Sequence, residues 1–234
     1  MKKHIPNILT CCNLFFGCVS IVMALRGNLE AASLLLFLCA IFDFLDGFAA
    51  RMLKVKSDIG VDMDSLADVF SFGGAPAMIL FVWLERCLTN LPPYLQEMSI
   101  IQLLPFVAFI VPGFSAVRLA RFNHDERQVN EFHGLPTPAN ALFIGFLHYS
   151  ASTIPFLTNL WVVLALTIVF SLLLVTDIPM FSLKFKNLNF KENYVRYIFL
   201  FIALILIIIF KLGAFPIIIL SYILLSFVMN LIQK

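Results

Sequence analysis

The sequence predicts an all-α fold: a polytopic membrane bundle of about eight transmembrane helices, with both termini on the cytoplasmic side. Three observations predict it. The 234 residues are 61% hydrophobic and 13% charged, with a mean hydropathy of +0.97, whereas a soluble domain carries about 25% charge. The apolar residues fall in runs of about 20, the length that crosses a hydrocarbon core. Lys and Arg are shared unevenly between the connecting segments, which is the mark of oriented insertion.

The first run, 7–26, follows MKKH. It is long enough to span, and no A-x-A site follows it, so it reads as a helix rather than a cleaved signal. A lipoprotein cysteine at Cys11 would leave almost no apolar segment before it. The second, third and fourth runs are 29–53, 62–86 and 99–121. The fifth, 137–152, is short and is expected to be tilted, interfacial or fused with the sixth, 157–176. The seventh and eighth, 195–211 and 213–232, are separated by KLGAFP, where Gly213 and Pro216 form the turn. The longest remaining loop, around 177–194, is too short for a soluble domain. With the N-terminus inside, all 16 Lys and Arg residues except Arg26, Arg86 and Lys211 face the cytoplasm. The chain is thus expected in the cell (inner) membrane. Cys11, Cys12, Cys18, Cys39 and Cys87 show no CxxC or Cys/His spacing and read as small apolar packing residues.

The exception to the apolar pattern is DFLDGFAAR at 43–51, followed by DIGVDMDSLAD at 58–68. Of the 14 acidic residues, Asp43, Asp46, Asp58, Asp62, Asp64 and Asp68 lie here. A carboxylate at the bilayer centre costs about 2.5–3.5 kcal/mol on insertion scales. Residues three and four apart share a helix face, so Asp43, Asp46, Gly47 and Ala50 form one stripe and Asp64 and Asp68 another. The short loop between them makes the two helices antiparallel neighbours, whose carboxylates converge at the cytoplasmic end. Four converging carboxylates call for hard cations, Mg²⁺, Mn²⁺ or Ca²⁺, and two ions suit a phosphoryl group. Gly47 and Ala50 leave room for a substrate, and Arg51, one turn on, suits a phosphate. Asp58 and Asp62 read as a solvated rim. From the residues alone, an ion-coupled transporter or proton relay stays open beside a phosphoryl-transfer site.

The full pattern, Asp43-x-x-Asp46-Gly47-x-x-Ala50-Arg51, eight residues, then Gly60-x-x-x-Asp64-x-x-x-Asp68, resembles the signature of the CDP-alcohol phosphatidyltransferase family at every fixed position. PNILTCCNLFFG at 6–17, SFGGAPA at 71–77, RLARFN at 118–123 and FHGLPTPANA at 132–141 are similar to bacterial and archaeal phosphatidylserine synthases. The resemblance covers most of residues 5–145. It implies a six-helix family core with extra C-terminal helices, forming one integral membrane catalytic domain over 1–234. It implies transfer of the phosphatidyl group from CDP-diacylglycerol to L-serine, with CMP leaving, by direct displacement. Asp43, Asp46, Asp64 and Asp68 would hold the metal, Mg²⁺ or Mn²⁺ and two ions, and Asp68 would also act as general base. Gly47, Ala50, Arg51 and Gly60 would line the nucleotide and diphosphate pocket, with Asn7, Thr10 and Ser57. For Asn7 and Thr10, a plain helix cap is the competing reading.

Arg118 and Arg121, at i and i+3, are candidates for binding the carboxylate of the acceptor or a phosphate; an inside-positive anchor is the alternative. His133, Thr137 and Asn140 are candidate pocket residues, against a structural turn. Lys184 and Lys186 are candidates for acidic headgroups. The expected partners are CDP-diacylglycerol, serine, the bilayer and a second copy of the chain, with no nucleic acid. Glycerol 3-phosphate and inositol phosphate are the alternative acceptors within the same fold.

Overall fold

The computed structural model describes residues 4–55, 58–124, 132–180 and 190–232. Almost all of them are helical. Helix α1 (His4–Leu25) and helix α2 (Leu29–Leu53) form an antiparallel hairpin. Its turn is made by Gly27, whose φ of 76° suits glycine, and by Asn28, whose side chain accepts from the Ala31 N–H and caps α2. At its other end α2 stops at Lys54, in the left-handed region, with the Lys54 N–H bonded to the Ala50 and Arg51 carbonyls.

The third element begins as helix α3 (Asp58–Asp68), widens into a π-helical segment (Val69–Gly74), and continues as helix α4 (Ala75–Leu88). The π segment lies directly after Asp68, and such wide turns occur mostly where a helix carries function. Two short helices, α5 (Pro93–Gln96) and α6 (Ser99–Gln102), lead through a 3₁₀ stretch (Leu104–Phe109) into helix α7 (Ile110–His124). Residues Phe132–His133 (β1) pair antiparallel with Pro179–Met180 (β2). Between them lie helix α8 (Thr137–Gly145), helix α9 (Leu147–Ser150), a 3₁₀ turn (Pro155–Thr158) and helix α10 (Leu160–Leu174). The Asn159 side chain caps α10 through the Trp161 and Val162 N–H groups. Helices α11 (Phe190–Phe210) and α12 (Ala214–Ile232) close the chain.

Among the described residues, five helical runs are long and apolar enough to cross a membrane: His4–Leu25, Leu29–Leu53, Ile59–Leu88, Ser99–His124 and Asn193–Leu231. The last is broken at Lys211–Gly213, where Lys211 has φ 50°. The turn expected from KLGAFP lies there at Gly213, whereas Pro216 falls in the first turn of α12 rather than in the turn. The expectation of about eight spans, with 137–152 short and tilted, interfacial or fused with 157–176, is met in part. The segment 137–152 is split at Phe146 into α8 and α9, and α10 has 15 residues. The physical reason is burial. Ala141, Phe143, Ile144, Phe146 and Leu147 are enclosed by other helices, so this stretch answers to its protein neighbours rather than to the thickness of a lipid layer.

Two clusters make the core. One joins α1, α2, the π segment and α4 through Ala24, Leu36, Cys39, Phe72 and Ile79. The larger one joins α4, α7, α8, α10 and the C-terminal pair through Leu80, Leu84, Phe143, Leu164, Phe199 and Tyr222. Outward faces stay apolar, as Phe201, Ile208 and Leu224 show. This suits a lipid environment, where no hydrophobic drive separates inside from outside.

Candidate active site

The α2 and α3 stripes converge as their spacing requires. One carboxylate oxygen from each of Asp43, Asp64 and Asp68 lies within 4.8 Å of the others. Two like charges about 5 Å apart repel by roughly 3 kcal/mol at an effective dielectric of about 20. Asp64 Oδ1 is buried and has no hydrogen-bond partner. Close hard oxygens, one of them orphaned, fit a divalent cation, so these residues could hold Mg²⁺ or Mn²⁺. Asp46 is held differently. It is buried, and its Oδ2 accepts from the Thr10 hydroxyl at 2.8 Å.

Asp46 and Asp64 also line a cleft of about 150 Å³, together with Pro6, Asn7, Thr10, Gly47, Ala50 and Gly60. Of the sequence-predicted nucleotide residues, Asn7, Thr10, Gly47, Ala50 and Gly60 are thus gathered around one hollow, and Arg51 does not line it. Asn7 and Thr10 are inside α1, which starts at His4, so neither is its cap. The Arg51 side chain folds back over Gly47, its Nη1 lying 3.6 Å from where a Cβ on that glycine would sit. Arg51 itself is exposed. Asp62 is exposed, as its rim reading expects. Ser57, Lys184 and Lys186 lie outside the described residues.

Asn13 belongs to the site and is missing from the sequence reading. It is fully buried, and its Nδ2 donates to Asp68 Oδ1 at 3.2 Å. A signal was present: Asn7, Thr10 and Asn13 recur every three residues in an otherwise apolar helix, which places them on one face.

Beyond Asp68 lies a second polar patch, on α7 and α8. Arg118 is buried and donates from Nη1 to Thr137 Oγ1 at 2.8 Å. Asp68 and Tyr222 are its electrostatic neighbours. Arg118 Nε, Ser115 Oγ and both amide atoms of Asn140 are buried without hydrogen-bond partners. Helix α7 comes close here because Gly73 has no side chain: a Cβ would lie 3.0 Å from Pro112 Cα and 3.4 Å from Ser115 Cβ. Arg121, expected beside Arg118, is exposed and donates to the Val175 carbonyl at 3.0 Å, at the end of α10.

FHGLPTPANA divides in two. In its first part, Gly134 has φ 75° and sits against the Leu174 and Thr176 carbonyls, while His133 Nδ1 lies 3.4 Å from the Asp177 carbonyl. This part is strand β1 followed by a bend at Gly134. Thr137 and Asn140, in the second part, belong to the Arg118 patch. Asn123 Nδ2 donates to Ser65 Oγ at 2.8 Å and ties the end of α7 to α3.

A family model for CDP-alcohol phosphatidyltransferases matches residues 3–176. The chain is similar to the CDP-diacylglycerol–serine O-phosphatidyltransferase of Bacillus subtilis, with 31% identity over 152 residues, 65% of this chain and 79% of that protein. It is similar to the enzyme of the same name from Methanocaldococcus jannaschii, with 36% identity over 161 residues, 68% of each chain. A third such enzyme, from Helicobacter pylori, is 32% identical over 141 residues, 59% of this chain; there the match spans about half of the relative, 54%.

Proposed function

The chain belongs to the CDP-alcohol phosphatidyltransferase family, and we propose that it transfers the phosphatidyl group of CDP-diacylglycerol to the hydroxyl of L-serine, giving phosphatidylserine and CMP. The observation that carries this is the convergence of Asp43, Asp64 and Asp68 within 4.8 Å beside the cleft of Asn7, Thr10, Gly47, Ala50 and Gly60. The three relatives described above carry the name of this activity. The catalytic unit is one integral membrane domain.

In this reading Asp43, Asp46, Asp64 and Asp68 would hold Mg²⁺ or Mn²⁺, as two ions. When bound, the cations offset the charge of the diphosphate and of the departing CMP. The cleft takes the nucleotide and diphosphate, with Arg51 and Ser57 at the phosphates. Asp68 removes the serine hydroxyl proton. The serine oxygen bonds to the phosphorus that bears diacylglycerol, and the bond from that phosphorus to the CMP oxygen breaks. Arg118 takes the serine carboxylate, since a buried guanidinium with an unfilled N–H is suited to an anion. Phe44, Leu45, Phe48 and Met52 are exposed apolar residues around the α2 aspartates; they offer the acyl chains a lipid-facing surface. The site faces the cytoplasm, where serine is supplied and CMP is released, and the enzyme works as a homodimer in the cell membrane.

The test is to supply reconstituted protein with labelled CDP-diacylglycerol, Mg²⁺ or Mn²⁺, and serine, glycerol 3-phosphate or inositol phosphate in turn, and to identify the lipid by mass spectrometry. Phosphatidylserine is expected with serine. A product formed only with a phosphorylated alcohol would move the acceptor. Cation uptake into vesicles without any lipid product would replace the enzyme reading with a transporter.

A further inference from the structure

Asp68 is given two tasks above, metal ligand and base, and a carboxylate has two oxygens that can be told apart only by what holds them. The structure holds one. Asn13 Nδ2 donates to Asp68 Oδ1 at 3.2 Å across 55 residues of sequence. Asn13 is itself fixed. Its backbone carbonyl accepts from Ser71 Oγ at 3.2 Å and from Cys39 Sγ at 3.4 Å. It is thus tied to α2 and to the π segment that follows Asp68. Helix α1 reaches this position because Gly17 faces Ser71: a Cβ there would lie 2.8 Å from Ser71 Oγ and 3.0 Å from Ser71 Cα.

Packing alone does not account for this amide. Asn13 is fully buried, and its Oδ1 has no hydrogen-bond partner. An isosteric leucine would fill the same space without a stranded acceptor. What leucine could not supply is the bond to Asp68.

From this geometry we infer that Asn13 is a positioning residue for Asp68: its amide fixes Oδ1 and leaves Oδ2 as the oxygen that receives the serine proton. The inference rests on the reading of Asp68 as the base. Asn13 touches no reacting atom and acts through the carboxylate. The proton passes from the serine hydroxyl to Asp68 Oδ2 as the serine oxygen–phosphorus bond forms and the bond from that phosphorus to the CMP oxygen breaks, CMP leaving with the electron pair.

The experiment measures serine-dependent CMP release by the full-length protein in vesicles, for wild type, Asn13→Leu, Asn13→Ser, Asp68→Asn and the Asn13→Leu/Asp68→Asn double variant. Serine is too short to reach Asp68, so it repeats the loss of the donor in a side chain that is polar and small. The expected result is a kcat lower by about ten- to a hundredfold in each single Asn13 variant, with the KM for CDP-diacylglycerol within about twofold of wild type. In the Asp68→Asn background, Asn13→Leu should cause no further loss, because there is no longer a base to position. A folded Asn13 variant with wild-type kcat would overturn the inference. So would losses that multiply in the double variant, which is the behaviour of a merely structural residue. If wild type itself released no CMP with serine, the activity reading would fall and this inference with it. Normal wild-type turnover with unaffected Asn13 variants would remove the inference alone.

Discussion

The acidic face built by α1, α2 and α3 and the basic face built by α7 and α8 flank Asp68, and they are satisfied to different degrees. On the acidic face, protein donors reach Asp46 from Thr10 and Asp68 from Asn13, while Asp64 Oδ1 stays bare. On the basic face, Arg118 spends one N–H on Thr137, and Arg118 Nε, Ser115 Oγ and the Asn140 amide are left over. Within a membrane such groups find no bulk water to complete them. The contrast teaches how the proposed reading divides the site between ligands of opposite sign. The acidic one suits a divalent cation, and the basic one suits a small molecule that brings a carboxylate or phosphate together with hydrogen-bond donors.

The most severe break is at the junction. Asp68→Asn should lower kcat by about 10²–10⁴-fold while CDP-diacylglycerol binding, measured by equilibrium retention of labelled lipid, is kept. Near-normal turnover would remove Asp68 as the base. On the acidic face, Asp43→Asn should reduce turnover by about 10²–10³-fold and raise the Mg²⁺ or Mn²⁺ concentration needed for half-maximal rate. An unchanged metal dependence would place the cation elsewhere. On the basic face, Arg118→Lys should raise the KM for serine by about ten- to a hundredfold, leaving metal dependence and the KM for CDP-diacylglycerol alone. That separation is the sharpest statement of the two-face contrast. The smallest effect is expected from Arg121→Lys, less than about fivefold in any kinetic constant, because an exposed hydrogen bond contributes about 1 kcal/mol at most. A large rise in serine KM for Arg121→Lys and none for Arg118→Lys would move the acceptor site outward.

How much of this could be read in the sequence follows from how local each feature is. Asp43, Asp46, Asp64 and Asp68 were legible because helical spacing alone puts each pair on one face, and a short loop sets the two helices side by side. Asn7 and Thr10 were singled out from their segment and line the cleft, but the bond from Thr10 to Asp46, which spans 36 residues, was not legible. Asn13 was missed for the same reason, since nothing in its surroundings encodes a partner on α3. Arg118 and Arg121 were expected on one face; the carbonyl at the end of α10 draws one outward while Thr137 keeps the other in. The first four apolar runs and the last two lie close to their expected bounds, because each is a long apolar stretch set off by polar or turn residues. The segment 137–152 was expected to be short and tilted, interfacial or fused with 157–176; its split at Phe146 follows from protein neighbours, and hydropathy does not report that.

The most direct test of the account is the initial rate of CMP release from CDP-diacylglycerol by the reconstituted protein, measured with serine and divalent cation each present or removed by dialysis and chelation. The account predicts release only when both are present, with one phosphatidylserine formed per CMP. Release at the full rate without serine, or without a divalent cation, would contradict it.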